Sequence, residues 1–297
     1  MNTKDLNITF IRETLESLRS TALAKHPSAF LWQQSLSIDN QFCESVVNAG
    51  FLTHEQMVHA SARYCIGASK RGGVIFWQID HEGRVHDGKV MYYLPNCHRN
   101  KDKAAHPTWV SSILAYREAK MTKSLNLETL PLPPSPSAVL PSPYSIHCFF
   151  GLHLLTSDLR CKKEEVKSVD ISFKSSESSL PSIAIVESEK SAFILSELYP
   201  QHIWLASGGL GEVQLDKFHP LRRHKVVMFP DTDPDGIAYR KWSIAAEKVM
   251  RAAFWEDSAP IRVSPLLELH ATDDQKQRKI DLVDFIFELN TNQPKTL

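Results

Sequence analysis

The sequence predicts an α/β protein whose C-terminal part is a parallel sheet with helices on both faces, preceded by a small α+β region. In the second half of the chain, short runs of consecutive apolar residues alternate with segments of helical periodicity. The apolar runs are residues 183–186, 203–206 and 226–229, and Ile261-Arg-Val263 is a fourth strand candidate. Strands that are apolar throughout are typical of parallel sheets buried between helices, so these runs predict the sheet.

The first half shows a different pattern. A stripe of apolar residues at helical spacing predicts a helix over residues 8–22. Residues 53–56, THEQ, have the form of a capping box and predict the start of another helix. Residues 72–95 contain apolar and β-branched runs separated by Glu82-Gly83 and Asp87-Gly88. These pairs predict an antiparallel meander with a tight turn at each.

A proline-rich stretch separates the two halves. Residues 131–143 hold six of the 17 prolines and predict a semi-rigid linker. We therefore predict four parts: a helical N-terminal segment over residues 1–60, a small α+β region over 61–130, the linker, and an α/β domain over 144–297.

Composition excludes several classes of protein. Lys and Arg together number 34, as do Asp and Glu, so the chain lacks the overall basic field of many duplex-DNA binders. The five cysteines never form a C-x-x-C pair, which argues against a zinc ribbon and against a disulfide framework. No apolar run approaches the ~18 residues of a membrane-spanning helix, and no signal peptide is recognisable. We expect a cytoplasmic protein with no membrane partner.

The order of the predicted elements locates a ligand site. Helical spacing over residues 189–199, 238–253 and 282–289 places helices between and after the strands, and a glycine turn with Gly208 and Gly209 follows the second strand. In parallel sheets of this kind the ligand lies beyond the carboxyl ends of the strands. Glu187 follows the first strand and Asp231 follows the third, so both should reach this edge.

The three aspartates of VVMFPDTDPDG, at positions 231, 233 and 235, allow several interpretations. DTDPDG matches the first six positions of a calcium EF-hand loop, but position twelve, which must be a bidentate Glu, is Trp242. Alternatively, Asp231 caps the following helix and residues 233–236 form a turn. The cap interpretation does not account for Glu187.

The segments IVESEKSA, WLASGG, VVMFPDTDPDG and KIDLVDFI together resemble the toprim domain, a Rossmann-like domain shared by bacterial-type primases, topoisomerases and some nucleases. That pattern is a glutamate after the first strand, a glycine turn after the second, Asp-x-Asp after the third, and a later acidic motif. FWQIDHEGRVHDGKVMYY and CFFGLHLL are similar to segments of uncharacterised, primase-like toprim proteins of bacterial genomes and mobile elements.

The resemblance implies metal-dependent chemistry on phosphodiesters. Glu187 would serve as general acid/base or metal ligand, and Asp231 and Asp233 would hold Mg²⁺ or Mn²⁺. Asp281 and Asp284 match the later acidic motif, although both could equally be first-turn charges of the last helix. Hard carboxylate oxygens suit Mg²⁺, which neutralises charge that builds on phosphoryl oxygens.

Nucleic acid, DNA in particular, is the partner that this resemblance implies, with a helicase or another replication protein as a further partner. The basic residues assigned to nucleic-acid contacts are Lys190, Arg222, Arg223 and Lys225. The chain departs from full primases, because it lacks paired cysteines for a zinc module, and from topoisomerases, because no additional domain carries a nucleophilic tyrosine. Two functions stay open: a toprim-type nucleotidyltransferase or nuclease, and a non-catalytic protein that binds nucleic acid or a partner through a toprim scaffold.

Overall fold

The computed structural model describes residues 32–124, 147–155 and 181–292. The predicted helix at residues 8–22 and the proline-rich stretch lie outside these ranges. The chain divides into two compact units, Met1–Cys148 and Phe149–Leu297. Among the described helices, none is both long and apolar enough to cross a bilayer.

The first unit is built on an antiparallel sheet. Its elements are α1 (Gln41–Asn48), α2 (His54–Arg63), β1 (Gly67–Ala68), β2 (Val74–Ile79), β3 (Val85–Met91), β4 (Thr108–Trp109) and α3 (Val110–Ser124). The strands lie in the order β1-β2-β3-β4. The predicted capping box starts α2: the Gln56 N–H donates to Thr53 Oγ1, and the Thr53 N–H donates to Gln56 Oε1.

The meander is confirmed, but one of its two predicted turns is wrong. Glu82-Gly83 lies between β2 and β3 as predicted, whereas Asp87-Gly88 lies inside β3, opposite Gln78 and Trp77. The Asp87 carboxylate does not stabilise a turn but binds the start of α3, where it accepts hydrogen bonds from the Ser111 N–H (3.1 Å) and the Ser111 hydroxyl (2.5 Å). Gly88 is required by packing, because a Cβ there would lie 2.7 Å from Ile75 Cγ2.

The second unit is built on a parallel sheet. Its strands are β5 (Ser182–Val186), β6 (His202–Ala206), β7 (Val226–Phe229) and β8 (Arg262–Val263). Its helices are α4 (Glu189–Leu198), α5 (Ile237–Met250), α6 (Leu266–His270), α7 (Asp273–Arg278) and α8 (Leu282–Asn292). The strand order is β6-β5-β7-β8 and every pairing is parallel. The predicted fold class, a parallel sheet flanked by helices and preceded by an α+β region, is confirmed.

The core of the second unit explains this arrangement. The residues of β5 from Ile183 to Val186 are buried on both faces of the sheet, so the strand is apolar throughout. Helix α4 packs against β5 and β6, and α8 packs against α4. The start of α8 is therefore brought beside the start of α4, although the two are far apart in sequence.

Candidate functional site

Two acidic residues lie at the carboxyl edge of the parallel sheet. Val186 of β5 pairs with Phe229 of β7, so Glu187 and Asp231 follow strand ends that lie side by side. The glycine turn after β6 is at the same edge, where the Gly208 N–H donates to the Glu187 carbonyl oxygen over 2.9 Å. Gly208 has a φ of 89°, a conformation that glycine adopts without strain.

The start of α8 brings two further carboxylates to this edge. The Thr232 N–H donates to the Ile280 carbonyl over 3.2 Å, which ties the loop after β7 to the residue before Asp281. Asp281 caps α8, since its Oδ1 accepts from the Asp284 N–H over 2.9 Å. Asp281 is therefore the cap that precedes the first turn of α8, and Asp284 lies in that turn. The second oxygen of Asp281, Oδ2, faces Lys190 and Ser191.

Lys190 is the positive charge among these carboxylates. Its Nζ lies 3.0 Å from Asp281 Oδ2 and 3.5 Å from Asp284 Oδ1. Only 8% of Lys190 is exposed. Ser191, the next residue of α4, donates its hydroxyl to Asp281 Oδ2 over 2.8 Å. A buried ion pair and a buried hydrogen bond therefore connect the first turn of α4 to the start of α8.

The carboxylates differ in their affinity for a proton. Burial raises the pKa of Asp231 well above its ordinary value, and the negative charges of Asp281 and Glu187 raise it further, against the opposing effect of Lys190. Burial also disfavours the Asp281 carboxylate, but the Lys190 ammonium and the hydrogen bonds to Asp281 outweigh it and lower the pKa of Asp281. Of these two carboxyl groups, Asp231 is thus the one that more readily keeps a proton, and Asp281 the one that is held ionised.

Asp233 has a different environment from Asp231. Its Oδ1 accepts from the N–H groups of Asp235 and Ile237, each at 3.0 Å, and its Oδ2 accepts from the Ala238 N–H at 2.8 Å. Burial alone would raise the pKa of Asp233, but these hydrogen bonds bring it below its ordinary value. Asp233, and not Asp231, holds the start of α5, and both of its oxygens face backbone donors.

The loop between the two aspartates is held by Glu268, a residue that the sequence did not single out. Thr232 Oγ1 donates to Glu268 Oε1 over 3.1 Å. Gly236, with a φ of 62°, lets the loop turn into α5, and a Cβ at that position would lie 3.1 Å from Glu268 Oε2. Glu268 therefore fixes the loop that carries Asp231. Its isolated position on α6 gave no sequence signal of this contact.

The basic residues assigned to nucleic acid separate into two groups. Lys190 lies among the carboxylates, whereas Arg222, Arg223 and Lys225 precede β7 and are exposed. Because all strands of this sheet run in parallel, the amino end of β7 is at the opposite edge from Asp231. The structure does not bring these three side chains to the acidic residues.

The donor set can be compared with the needs of a divalent cation. In the described ranges, no three His, Cys, Asp or Glu side chains are grouped closely enough to hold a metal ion in this conformation. The chemistry of the four carboxylates of Glu187, Asp231, Asp281 and Asp284 nevertheless fits Mg²⁺ or Mn²⁺, which take hard oxygen ligands. The unfavourable clustering of negative charge around Asp231 is what a bound cation would relieve.

Comparison with known families adds an identity for the chain. A family model described as a domain of unknown function, DUF6371, matches residues 40–171 and 172–232. The chain belongs to the DUF6371 family. The match spans α1 to the loop after β7, so it includes Glu187 and Asp231, while Asp281 and Asp284 lie beyond it.

This DUF6371 chain was also compared with curated proteins and with solved structures. No curated protein matches it. A solved structure described as the DnaG primase catalytic domain bound to ssDNA matches with a TM-score of 0.43 and 13% identity, over 95% of this chain and 86% of that one.

Proposed function

We propose that the second unit is a toprim-type, Mg²⁺- or Mn²⁺-dependent enzyme acting on phosphodiester bonds of nucleic acid, by primase-like nucleotidyl transfer or by cleavage. One observation carries the proposal: Glu187, Asp231 and Asp281, from three separate segments, interact electrostatically at the carboxyl edge of a parallel sheet. This is the edge at which open α/β sheets bind their ligands. A stabilising structure gains nothing from placing a half-buried carboxylate among others of like charge, whereas a cation site does.

Each residue has a proposed role. Asp231 would provide metal-ligand oxygens. Glu187 would serve either as a further ligand or in proton transfer, as the general base that takes the proton of the attacking hydroxyl or the general acid that protonates the leaving oxygen. Asp281 and Asp284 would complete the acidic shell, and Asp233 would orient the loop through its backbone hydrogen bonds. When bound, the cation would offset negative charge on the phosphoryl oxygens. Asp231 would lose its proton on ligation, because a metal-bound carboxylate is ionised.

The proposed substrate is DNA, in replication or in the maintenance of a mobile element, with a helicase or another replication protein as a proposed partner. Arg222, Arg223 and Lys225 would contact the phosphate backbone away from the reacting bond, since they lie at the other edge of the sheet. Contacts of this kind position a polymer without reading its sequence.

A non-catalytic scaffold is the second candidate. It is favoured by the way two predicted site residues are used: Asp233 accepts three backbone hydrogen bonds, and Lys190 pairs with Asp281 and Asp284. In this alternative the acidic edge, which is formed by Glu187, Asp231, Asp281 and Asp284, is a set of helix caps and ion pairs, and nucleic acid or a protein partner binds elsewhere.

Thermal melts distinguish the two candidates. Wild-type protein and Asp231→Asn are each melted with EDTA and with millimolar Mg²⁺ or Mn²⁺. A cation that binds only the folded state raises the melting temperature by mass action, so the enzyme proposal expects a metal-dependent rise in the wild type that Asp231→Asn loses. If the wild type melts at the same temperature with EDTA and with metal, the enzyme proposal is wrong and the scaffold is the candidate that stands.

Activity is then measured on labelled single-stranded and duplex DNA and RNA, with and without nucleoside triphosphates. Products that appear only with metal, and not with Asp231→Asn, would identify the reaction. Asp257→Asn is the matched control, since Asp257 is exposed and lies outside the acidic edge.

A further inference from the structure

The outer face of α5 carries positive charge along its length. Residues three and four apart share one face of a helix, and one such row on α5 is exposed throughout. This row, the α5 stripe, consists of Ile237, Lys241, Ile244, Lys248 and the C-cap residue Arg251. Glu247, which lies 3.4 Å from Arg251, is the one acidic residue of α5. The stripe therefore presents three cations beside one carboxylate.

Helix α5 connects the two edges of the parallel sheet. It follows the loop that carries Asp231 at the carboxyl edge, and it precedes β8, which runs parallel to β7 and so begins at the amino edge. At 1.5 Å per residue its 14 residues span about 21 Å. The α5 stripe thus leads from the edge that holds Asp231 to the edge that holds Lys225.

A stacked aromatic pair lies just beyond the end of the stripe. Phe254 follows Arg251 by three residues, and its ring stacks on that of His219 with centroids 3.7 Å and planes 22° apart. Phe254 is half-buried and His219 is exposed. The residues next to them in sequence, Phe218 and Trp255, are buried and pack edge to face with centroids 6.3 Å apart. This inner pair fixes both segments and holds the His219 ring at the surface.

The segment that carries His219 adds another cation to the same face. His219 lies in a 3₁₀ helix, Leu215–Leu221, whose C-cap is Arg222. Residues three apart eclipse in a 3₁₀ helix, so the exposed Arg222 lies on the His219 face, while Leu221 is buried. Asp216 lies on the His219 face one turn earlier, which places the positive charge on the C-terminal side of the ring.

A row of cations that ends at an exposed flat ring suits one class of polymer. Single-stranded nucleic acid offers phosphates to Lys and Arg and unpaired bases that stack on aromatic rings, whereas a duplex hides the faces of its bases. An acidic protein partner would use the cations but would have no need of the ring.

We propose that a single strand of nucleic acid lies along the α5 stripe, with phosphates at Lys241, Lys248 and Arg251 and a base stacked on His219. The inference rests on the proposed function, because it names the strand state of the polymer and its path away from the acidic edge. It uses no residue of that edge. It adds an aromatic contact to the phosphate contacts proposed for Arg222, Arg223 and Lys225.

Fluorescence anisotropy of full-length protein in EDTA tests the aromatic contact. The probes are fluorescein-labelled oligothymidylate, oligouridylate and a DNA duplex of the same length. Wild type should bind the single strands more tightly than the duplex, and His219→Ala should weaken single-strand binding about 5- to 150-fold, the range for one base stacked on an aromatic ring. His219→Phe keeps a ring and should retain affinity. His270→Ala, at an exposed histidine of α6, is the matched control and should change nothing.

The salt dependence of binding tests the phosphate contacts. Each contact with a single strand contributes about 0.7 to the slope of log affinity against log salt, so Lys241→Gln combined with Lys248→Gln should lower that slope by about 1.4. Glu247→Gln removes a carboxylate beside the stripe and should tighten binding. An unchanged slope in the double lysine variant would overturn the path along α5. This readout does not depend on the packing around His219.

The remaining outcomes separate this proposal from the metal site. Because EDTA is present, binding that follows these predictions supports the path even if the metal-dependent melts fail. Equal affinity for single strand and duplex, or for wild type and His219→Ala, overturns it even if those melts succeed. No binding to any probe also overturns it, and the exposed Ile237 and Ile244 would then face a protein partner. Tighter binding of either single strand supports the path and decides between DNA and RNA.

Discussion

Ser191 donates its hydroxyl to Asp281 Oδ2 over 2.8 Å and so connects the first turn of α4 to the first turn of α8. Both residues are buried. Because α4 follows the strand that precedes Glu187, this bond and the ion pair between Lys190 and Asp281 together hold the segment that carries Glu187 beside the segment that carries Asp281. The acidic edge is thus assembled by contacts between helix starts as well as by the sheet.

Removal of this hydroxyl should be costly. Ser191→Ala leaves a buried carboxylate with one donor fewer, and hydrogen bonds to charged groups contribute about 1.5–3 kcal/mol. We expect the free energy of unfolding, from urea titration, to fall by that amount. Ser196→Ala is the control, because Ser196 is also buried in α4 but donates to a neutral backbone carbonyl, that of Phe193. If the free energy of unfolding falls equally in both variants, the hydrogen bond to Asp281 contributes no more than one to a neutral carbonyl.

The strand ends of this site could be predicted from the sequence, but its side-chain pairing could not. Continuous apolar runs identify β5 and β7, and the parallel direction of both strands follows from the helices between them, so the edge at which Glu187 and Asp231 lie is predictable. The pairing of Lys190 with Asp281 depends on how α4 and α8 pack and on which rotamer the long side chain adopts. Neither leaves a periodic pattern in the sequence.

Two local details show where short-range patterns mislead. Asp231 and Asp233 both precede α5, and one interpretation of the sequence made Asp231 the cap. The turn at Gly236 instead directs the backbone N–H groups toward Asp233. Asp-Gly is a frequent turn pair, yet Asp87-Gly88 continues β3, because Asp87 is held by Ser111 and Gly88 packs on Trp77. In the first case a turn within the loop decided which aspartate caps the helix, and in the second case contacts from outside the local segment decided the structure.

Asp231→Asn should stabilise the metal-free protein. Burial and the charges of Asp281 and Glu187 raise the pKa of Asp231, so at pH 7 the folded protein must either keep this proton or hold an ionised carboxylate among like charges, and the amide of Asn avoids both costs. Relief of like-charge repulsion near a protein surface is about 1 kcal/mol or more. In urea titrations with EDTA, the free energy of unfolding should therefore rise in Asp231→Asn and stay unchanged in the exposed control Asp257→Asn. A fall in Asp231→Asn would mean that the ionised carboxylate is structurally required.

Asp233→Ala should have the opposite effect. The variant leaves the N–H groups of Asp235, Ile237 and Ala238 without their acceptor, and loss of a helix cap costs about 0.5–2 kcal/mol. We expect this fall in the free energy of unfolding with and without metal. Asp235→Ala, in the same loop but with an exposed side chain, should change it little. A large effect that appears only when metal is present would make Asp233 a ligand instead.

Gly88→Ala should destabilise the first unit. A Cβ at this position would lie 2.7 Å from Ile75 Cγ2 and 2.8 Å from Trp77 Cε3, two buried side chains, so either β2 or β3 must shift. Overpacking of this kind costs about 1–3 kcal/mol. Gly211→Ala is the control, since its Cβ would meet no atom within 4 Å. Tryptophan fluorescence during urea unfolding measures the difference, and equal midpoints would contradict the packing argument.

Asp80 should make the stability of the first unit depend on pH. Burial would raise the pKa of its carboxyl, but Oδ2 accepts from His86 Nε2 over 2.9 Å and from Arg84 Nε over 2.7 Å, and these and the backbone contacts bring the pKa well below its ordinary value. A carboxylate whose folded pKa lies below the unfolded value of ~3.9 stabilises the protein above that pH. The stabilisation is lost as the pH falls toward the folded pKa.

The variant Asp80→Asn keeps the shape but loses the charge. Its amide would face Arg84 Nε and His86 with donors, so we expect a loss of about 2 kcal/mol in the free energy of unfolding at pH 7. The difference from wild type should shrink as the pH falls below ~4, because the wild-type carboxylate then takes up its proton on unfolding. Asp102→Asn is the control, since Asp102 is exposed and makes no capping hydrogen bond through its side chain. A difference between wild type and Asp80→Asn that stays constant from pH 7 to pH 3 would show that the charge of Asp80 contributes nothing and that only its shape is needed.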